Sequence, residues 1–94
     1  MKILVKDFQE KSHIIRNKYN NLYHLSVEIK YLYKDFYVTE WSLFKKYKDL
    51  DTYFSKENKP ILSSKNGNTF DDLTKFIENL EKKRMRNYIT QGGN

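Results

Sequence analysis

The chain has 94 residues, no cysteine, 16% aromatic residues and a formal net charge of +6. This length supports one hydrophobic core, so we expect a single globular domain over residues 1–88, followed by a flexible tail over residues 89–94. The absence of cysteine excludes a disulfide framework, a thiolate nucleophile and a Cys-based zinc site.

The amino-terminal segment begins with a short apolar run, residues 3–5, which fits a short strand and is followed directly by charged residues. The run is too short for the core of a signal peptide or for a membrane span, so we expect no membrane partner. Frequent Lys, Asn, Tyr and Ile are typical of AT-rich genomes. Together with the lack of cysteine, they favour the cytoplasm of a bacterial or phage-infected cell.

Residues 5–22 fit either a helix or a strand. In the helical interpretation the apolar residues of this segment share one face: Phe8, Ile15, Tyr19 and Leu22. In the other interpretation Asn20 and Asn21 form the turn of a hairpin whose second limb begins near residue 22. We leave both structures open for this segment.

Residues 25–44, LSVEIKYLYKDFYVTEWSLF, are the richest in large side chains and contain neither Gly nor Pro. Apolar and polar residues alternate over 25–33 and again over 37–44, which predicts two half-buried strands of one hairpin. Tight two-residue turns favour Gly or Asn, which are absent here, so we expect a loop of three or five residues, with five preferred. Such a loop gives three favourable cross-strand pairs: Ile29 with Trp41, Val27 with Leu43, and Lys30 with Glu40.

The same stretch also fits a helical pattern, since Ile29, Leu32, Tyr33 and Phe36 lie on one face at helical spacing. We therefore keep an all-α bundle as the alternative fold. The strand interpretation is preferred because β-branched and aromatic residues dominate the stretch up to Leu43.

The carboxyl-terminal third contains a loop region and then a helix. Pro60 and the Asn66–Gly67 pair mark the loop, and residues 61–64 fit a short edge strand between them. A helix is predicted over 69–86, because Thr69 and Asp72 form a capping box. Its apolar stripe must pack on another element: Phe70, Leu73, Phe76, Ile77 and Leu80. The predicted class is therefore α+β, a small antiparallel sheet with the hairpin 25–33/37–44 at its centre, packed against this helix.

Catalysis is poorly supported by the sequence. The two histidines, His13 and His24, are eleven residues apart and belong to no metal-ligand motif. Asp71 and Asp72 are explained by their favourable position at a helix amino terminus, and no glycine-rich phosphate loop is present. We therefore expect a protein that is not an enzyme and uses neither cofactor nor metal.

The basic residues instead predict a small basic binding protein, a phage or mobile-element accessory factor whose partner is nucleic acid or a nucleoprotein complex. Two segments carry the predicted nucleic-acid-binding residues: Lys82, Lys83, Arg84 and Arg86, together with Lys45, Lys46 and Lys48. Cations at a helix carboxyl terminus also complement the helix dipole. The first segment can therefore be explained by helix stability alone, without a binding role. Aromatic residues beside the second segment are typical of surfaces that combine stacking with phosphate contacts.

The aromatic surplus predicts an alternative function. A core of this size does not bury fifteen aromatic side chains, so several tyrosines should be exposed at an interface. The alternative is a stoichiometric inhibitor or adaptor, of the anti-defence or anti-CRISPR type, that docks on a larger enzyme. Its predicted interface is an apolar patch on the solvent face: Leu32, Val38, Phe44 and Tyr47. A homodimer through Leu32, Val38 and Phe44 is a further expectation.

Overall fold

The computed structural model of the chain describes the backbone of residues 2–46 and 58–92, and the side chains of residues 2–46 and 58–85. Within these ranges the chain forms four strands, two α-helices and one short 3-10 helix, Ser64–Asn66, in a mixed α+β fold. The strands and α-helices follow in the order β1 (Ile3–Leu4), α1 (Val5–Lys18), β2 (Tyr23–Leu32), β3 (Asp35–Lys45), β4 (Leu62–Ser63) and α2 (Phe70–Gly92). The predicted class is confirmed, and the all-α alternative is wrong.

The sheet is antiparallel, with β3 at its centre. Strand β2 lies along one edge of β3, while β1 and β4 share the other edge. The predicted edge strand over residues 61–64 is therefore confirmed as β4. Residues 5–18 form helix α1, so the hairpin interpretation with a turn at Asn20 and Asn21 is wrong.

The turn between β2 and β3 is tighter than predicted. Leu32 pairs with Asp35, so the connection is the two-residue turn Tyr33–Lys34. Both residues have positive φ, 52° and 66°, the pattern of a type I′ turn. Neither is Gly or Asn, which is why the sequence pointed to a longer loop; the pairing along the two long strands outweighs the local preference of the turn residues.

The register of the hairpin also differs from the prediction, because β3 contains a bulge. Ile29 pairs with Val38 and Glu28 pairs with Glu40, which leaves Thr39 as an extra residue without an opposite partner. Trp41 consequently pairs with Val27 instead of Ile29, Leu43 pairs with Leu25, and the expected pairing of Lys30 with Glu40 is wrong. Glu28 and Glu40 face each other as like charges, and each is compensated by a lysine: Lys30 at 3.4 Å from Glu28 and Lys65 at 3.4 Å from Glu40.

The bulge also moves Val38 from the solvent face to the core. In a regular strand residues 38 and 41 would face opposite sides, but the extra residue Thr39 places both on the same side. Val38 and Trp41 are each 1% exposed. The prediction of Val38 as an exposed interface residue is therefore wrong, and two of its three companions in that patch, Leu32 and Phe44, are half-buried.

Both helices pack on the inner face of the sheet. The buried core takes residues from every layer: Phe8 and Ile15 of α1, Leu25 of β2, Val38, Trp41 and Leu43 of β3, and Leu73 and Ile77 of α2. The helices run in the same direction, because the rings of Phe8 and Phe70 stack at 5.4 Å near their starts and Lys18 bonds to Glu81 about ten residues further along each helix.

Helix α2 begins with the predicted capping box. The Thr69 hydroxyl accepts a hydrogen bond from the Asp72 amide at 3.1 Å, and the Asp72 carboxylate accepts one from the Thr69 amide at 2.8 Å. The bond from the Thr69 amide is the main reason why the pKa of the Asp72 carboxyl is lowered, and the side chains of Thr69 and Asn68 lower it further. The helix continues to Gly92, beyond the end predicted at residue 86, and so includes residues 89–92 of the predicted tail. The division into a domain and a flexible tail stays a prediction.

The positive φ at Lys34 generates a stability prediction. Replacement of Lys34 by glycine is expected to raise the free energy of unfolding by about 1 kcal/mol, because the left-handed conformation strains a side chain with a Cβ and does not strain glycine. Lys30→Gly is the matched control on the same hairpin, and it should lower the free energy of unfolding by about 1 kcal/mol because its backbone is extended. Urea denaturation measures both changes; equal destabilisation by the two substitutions would contradict the prediction.

Candidate functional site

The two basic segments singled out in the sequence lie at the same end of the molecule. The backbone amide of Lys46 donates to the carbonyl of Leu22 at 2.9 Å, which holds the end of β3 beside the loop that connects α1 and β2. The hydroxyl of Tyr19, in that same loop, donates to Glu81 of α2 at 3.1 Å. The next turn of α2 contains Arg84, whose side chain also acts on the Tyr19 hydroxyl.

We call this end of the molecule the basic end. It is defined by the cationic and titratable side chains that the end of α1, the start of β2, the end of β3 and the middle of α2 bring together: Arg16, Lys18, His24, Lys45, Lys46, Lys82, Lys83 and Arg84. All eight side chains are exposed. Arg16, Lys18 and His24 were missed by the sequence analysis, because nothing in their spacing shows that α1 ends beside β2 and β3.

A groove of about 390 Å³ opens at the basic end. Arg16 from α1, His24 from β2 and Lys46 from β3 line it, and Ile15 and Leu25 contribute apolar surface to it. We call it the basic groove. Among the residues described, neither Arg16 nor Lys46 forms an ion pair with a carboxylate, so their charges remain available to an anion in the groove.

The electrostatics of the basic groove act on His24. Burial lowers the pKa of its imidazole, and the nearby charges of Lys46 and Arg16 lower it further. The imidazole also lies beside the ring of Phe44, with 6.4 Å between ring centroids. At neutral pH the histidine is therefore uncharged, and an anion placed between the three side chains would favour its protonated form.

Glu81 connects the two helices at this end. Its carboxylate accepts hydrogen bonds from the ammonium of Lys18 at 2.9 Å and from the hydroxyl of Tyr19 at 3.1 Å. The bond from Lys18 is the main reason why the pKa of the Glu81 carboxyl is lowered, while burial and then Glu81 raise the pKa of Tyr19. This junction fixes α2 against the end of α1, and it thereby positions Lys82 and Arg84 at the basic end.

Part of the predicted site lies outside the described residues. Lys48 of the predicted nucleic-acid-binding set and Tyr47 of the predicted interface both fall between residues 46 and 58, and the side chain of Arg86 lies beyond the last side chain described. The remaining members of the basic set are the five that the structure brings to the basic end: Lys45, Lys46, Lys82, Lys83 and Arg84.

A cluster of exposed apolar side chains lies at the other end of the hairpin. Ile29, Tyr31, Tyr33 and Phe36 are 46%, 62%, 78% and 54% exposed, and we call them the hairpin-tip patch. Three of them continue the inner face of the sheet, because Ile29 and Tyr31 follow Val27 at every second position and Phe36 precedes Val38 in the same way. Tyr31 and Phe36 pair across the strands, with ring centroids 5.0 Å apart. This patch takes the place of the one predicted around Val38.

The histidines and carboxylates of the described residues are the candidates for a metal site. His13 is exposed on α1, and its Nδ1 bonds to the carbonyl oxygen of Gln9 at 3.1 Å. In the part of the chain that the structure describes, no three His, Asp or Glu side chains come together in a way that would hold a metal ion. Over the same residues, neither helix combines the length and apolar character needed to cross a membrane.

Comparisons with protein families, with curated proteins and with solved structures found no match to this chain. Two surfaces of the described residues, the basic end and the hairpin-tip patch, therefore provide the basis for a proposed function. Of these two surfaces, the basic end is the one whose residues converge from four separate elements.

The Glu81 junction leads to a pH-dependent stability prediction. Glu81→Gln should lower the free energy of unfolding by about 1 kcal/mol at neutral pH, because the bond from Lys18 loses its charge partner. The pKa of Glu81 is lowered in the folded protein, so its stabilisation is present above the ordinary value of 4.5 and is lost as the pH falls below it. The difference between wild type and variant should therefore shrink in acid.

The matched control is Glu78→Gln on the same helix, one turn earlier. Glu78 is exposed, and its substitution should change the free energy of unfolding by less than about 0.5 kcal/mol. Chemical denaturation at neutral and acidic pH measures both variants. A difference for Glu81→Gln that stays constant from pH 7 into acid would contradict the role of the ionised carboxylate.

Proposed function

We propose that this chain is a small non-catalytic protein that binds nucleic acid, or a nucleoprotein complex, through its basic end. In this proposal it acts in the cytoplasm as an accessory factor of a phage or mobile element. The single observation that carries the proposal is the convergence of two basic segments, Lys45–Lys46 and Lys82–Arg84, which are 36 residues apart in the sequence, beside Arg16 and His24.

The arrangement of the charges supports a polyanion as the partner. The cations of the basic end come from different elements, so they cover a surface rather than a point, and successive phosphates of a nucleic acid present charge over such a surface. Glu81 lies among them, and it is already bonded to Lys18 and Tyr19, which leaves Arg16 and Lys46 uncompensated by any described carboxylate. The cations of this surface suit contacts to phosphates, which carry no sequence information, so we expect little sequence preference.

The first test is the salt dependence of binding. Fluorescence anisotropy with a labelled DNA duplex and a labelled RNA should give a dissociation constant that rises steeply with salt, because each phosphate contact releases counterions. The double variant Arg16→Glu with Lys46→Glu should weaken binding roughly 100-fold and reduce the slope of log K against log salt by about 2.

The matched control is Lys6→Glu with Lys34→Glu. It makes the same change in net charge at the start of α1 and at the hairpin turn, away from the basic end. It should retain most of the affinity and of the salt slope. Equal losses in the two double variants would show that net charge alone governs binding, and a response that is flat in salt would contradict the proposal.

The second test is the pH dependence of binding. In the free protein the pKa of His24 is lowered from its ordinary value of 6.5 by burial and by Lys46 and Arg16. A bound phosphate raises this pKa, so binding takes up a proton and the affinity should increase as the pH is lowered from 8 through the pKa that His24 has in the complex. His24→Gln should remove this increase and leave the affinity at pH 8 nearly unchanged. Persistence of the full pH dependence in this variant would exclude His24 from the site.

A second candidate function is a stoichiometric inhibitor or adaptor, of the anti-defence or anti-CRISPR type, that docks on a larger enzyme. The observation that favours it is the hairpin-tip patch, whose Tyr33 and Phe36 are 78% and 54% exposed. Exposed aromatic side chains of this kind are typical anchors of protein interfaces. Recovery of a partner from lysate after complete nuclease digestion, and its loss in a variant with Tyr33→Ser and Phe36→Ser, would favour this function over nucleic-acid binding.

A further inference from the structure

Strand β2 forms an open edge of the sheet. It is the last strand in the order β1–β3–β2, and no other described strand pairs with its outer side. The Lys46 amide bonds to the carbonyl of Leu22, an even-numbered residue. Along an antiparallel strand, the backbone groups of successive residues point alternately to the strand on one side and to the other side. The even-numbered residues of β2 therefore bond to β3, and the odd-numbered ones direct their N–H and C=O groups to the open edge: Leu25, Val27, Ile29 and Tyr31.

Apart from the oppositely charged Glu28 and Lys30, this edge lacks the features that usually prevent pairing with another chain. Strand β2 is ten residues long and contains no Pro and no Gly. The bulge that distorts the hairpin lies in β3, so β2 itself stays regular. Long regular edges of this kind readily pair with a further strand.

The inner face of the same edge is apolar and exposed. Ile29 and Tyr31 of the hairpin-tip patch are 46% and 62% exposed, because they lie beyond the part of the sheet that the helices cover. Their exposure and the open backbone groups occur on the same residues of β2. A strand added to this edge would satisfy the backbone groups and cover these side chains together.

We propose that β2 pairs with β2 of a second copy of this chain, antiparallel and about a two-fold axis that passes beside Ile29. Two sheets of four strands then join into one continuous sheet of eight strands. The proposal goes beyond the proposed function and does not depend on it.

Charge complementarity selects a second copy and also selects this register. With the axis beside Ile29, Glu28 faces Lys30 of the second copy and Lys30 faces Glu28 of the second copy, so both charges on the outer face are paired twice. An axis one residue earlier would place Glu28 against its own copy. An axis beside Val27 would place Glu28 against Ser26 and Lys30 against His24, so neither charge would face an opposite charge. Of these three registers, the one beside Ile29 is the one in which Glu28 and Lys30 attract each other across the boundary.

The inner face supports the same register. Ile29 then faces its own copy, and Val27 faces Tyr31 of the second copy, so aliphatic and aromatic side chains pair across the new strand boundary. Tyr33 and Phe36 remain at the margin of the contact. The dimer thus covers the half of the hairpin-tip patch that lies on the open edge.

The dimer would also place the two basic ends at opposite ends of the shared sheet. His24 lies five residues from Ile29, so the two copies of His24 are separated by ten residues of extended chain, about 34 Å. This separation is close to one turn of B-form DNA. The two basic grooves would then contact the same side of a duplex one turn apart, a consequence that rests on the proposed function, whereas the dimer itself does not.

The first experiment measures the mass of the protein in solution over a range of concentrations by size-exclusion chromatography with light scattering. The wild type should form a dimer, and Glu28→Lys and Lys30→Glu should each raise the dimer dissociation constant roughly tenfold, because each creates two like-charge contacts. The double variant with both substitutions restores complementary pairs and should recover the wild-type dimer. A monomeric wild type at every concentration, or a double variant as weak as the single ones, would overturn the proposal.

The second experiment tests the register directly, because the chain contains no cysteine. In the proposed pairing the two Cα atoms of residue 29 lie about 5.5 Å apart, within the range that a disulfide spans. Ile29→Cys should therefore form a disulfide-linked dimer on mild oxidation, roughly tenfold faster or more than the control Ser26→Cys, whose copies are about 20 Å apart. Equal rates for the two variants would contradict the register.

The outcomes for the dimer and for nucleic-acid binding can be told apart. A monomer that still binds DNA or RNA in a salt-dependent manner overturns the dimer and leaves the proposed function standing. A dimer that binds neither nucleic acid overturns the proposed function and supports the pairing through β2. A monomer whose Ile29 and Tyr31 variants lose a larger protein partner overturns the dimer and assigns the edge to that protein.

Discussion

The extra residue Thr39 in β3 is the constraint on which the rest of the structure depends. Val38 and Trp41 are three positions apart, so a regular strand would direct one of them to solvent. The bulge places both in the core, where each is 1% exposed, and so allows one face of β3 to meet both helices. The opposition of Glu28 and Glu40 is a consequence of this arrangement, and Lys30 and Lys65 offset it with one ion pair each.

The hairpin separates the two surfaces that matter for function. At one end, the start of β2 and the end of β3 lie beside the carboxyl terminus of α1, and the basic groove forms there. At the other end, β2 and β3 extend beyond the helices, and the apolar side chains of the inner face are left uncovered. The two strands are ten and eleven residues long, but the core reaches only to Val38 and Val27. The strands therefore extend beyond the core, and one small domain can carry both surfaces.

The basic end depends on the contact between helices as much as on the sheet. Phe8 stacks on Phe70 near the start of the two helices, and Glu81 bonds to Lys18 and Tyr19 near the end of α1. These contacts hold the helices parallel, so the residues that follow Glu81 are carried past the end of α1. Lys82, Lys83 and Arg84 directly follow Glu81 and are therefore carried to the basic end, where Arg84 acts on the Tyr19 hydroxyl.

The sequence by itself determined the local features of this protein. The Thr69–Asp72 capping box, the apolar stripe of α2, the two alternating limbs of the hairpin and the edge strand before Asn66–Gly67 were all predicted, because each depends on residues close together in the chain. The basic segments 45–46 and 82–84 were also identified from composition alone.

Only the tertiary structure decided the register, the buried position of Val38 and the composition of the basic groove. The turn Tyr33–Lys34 contradicts local preference, and the bulge at Thr39 leaves no mark in the alternation of β3; both follow from pairing with β2 and packing against the helices. Arg16, His24 and Lys46 meet through long-range contacts of α1, β2 and β3, which no spacing in the sequence encodes. Local patterns determine which elements form, whereas the burial of one shared core determines which of their side chains become neighbours.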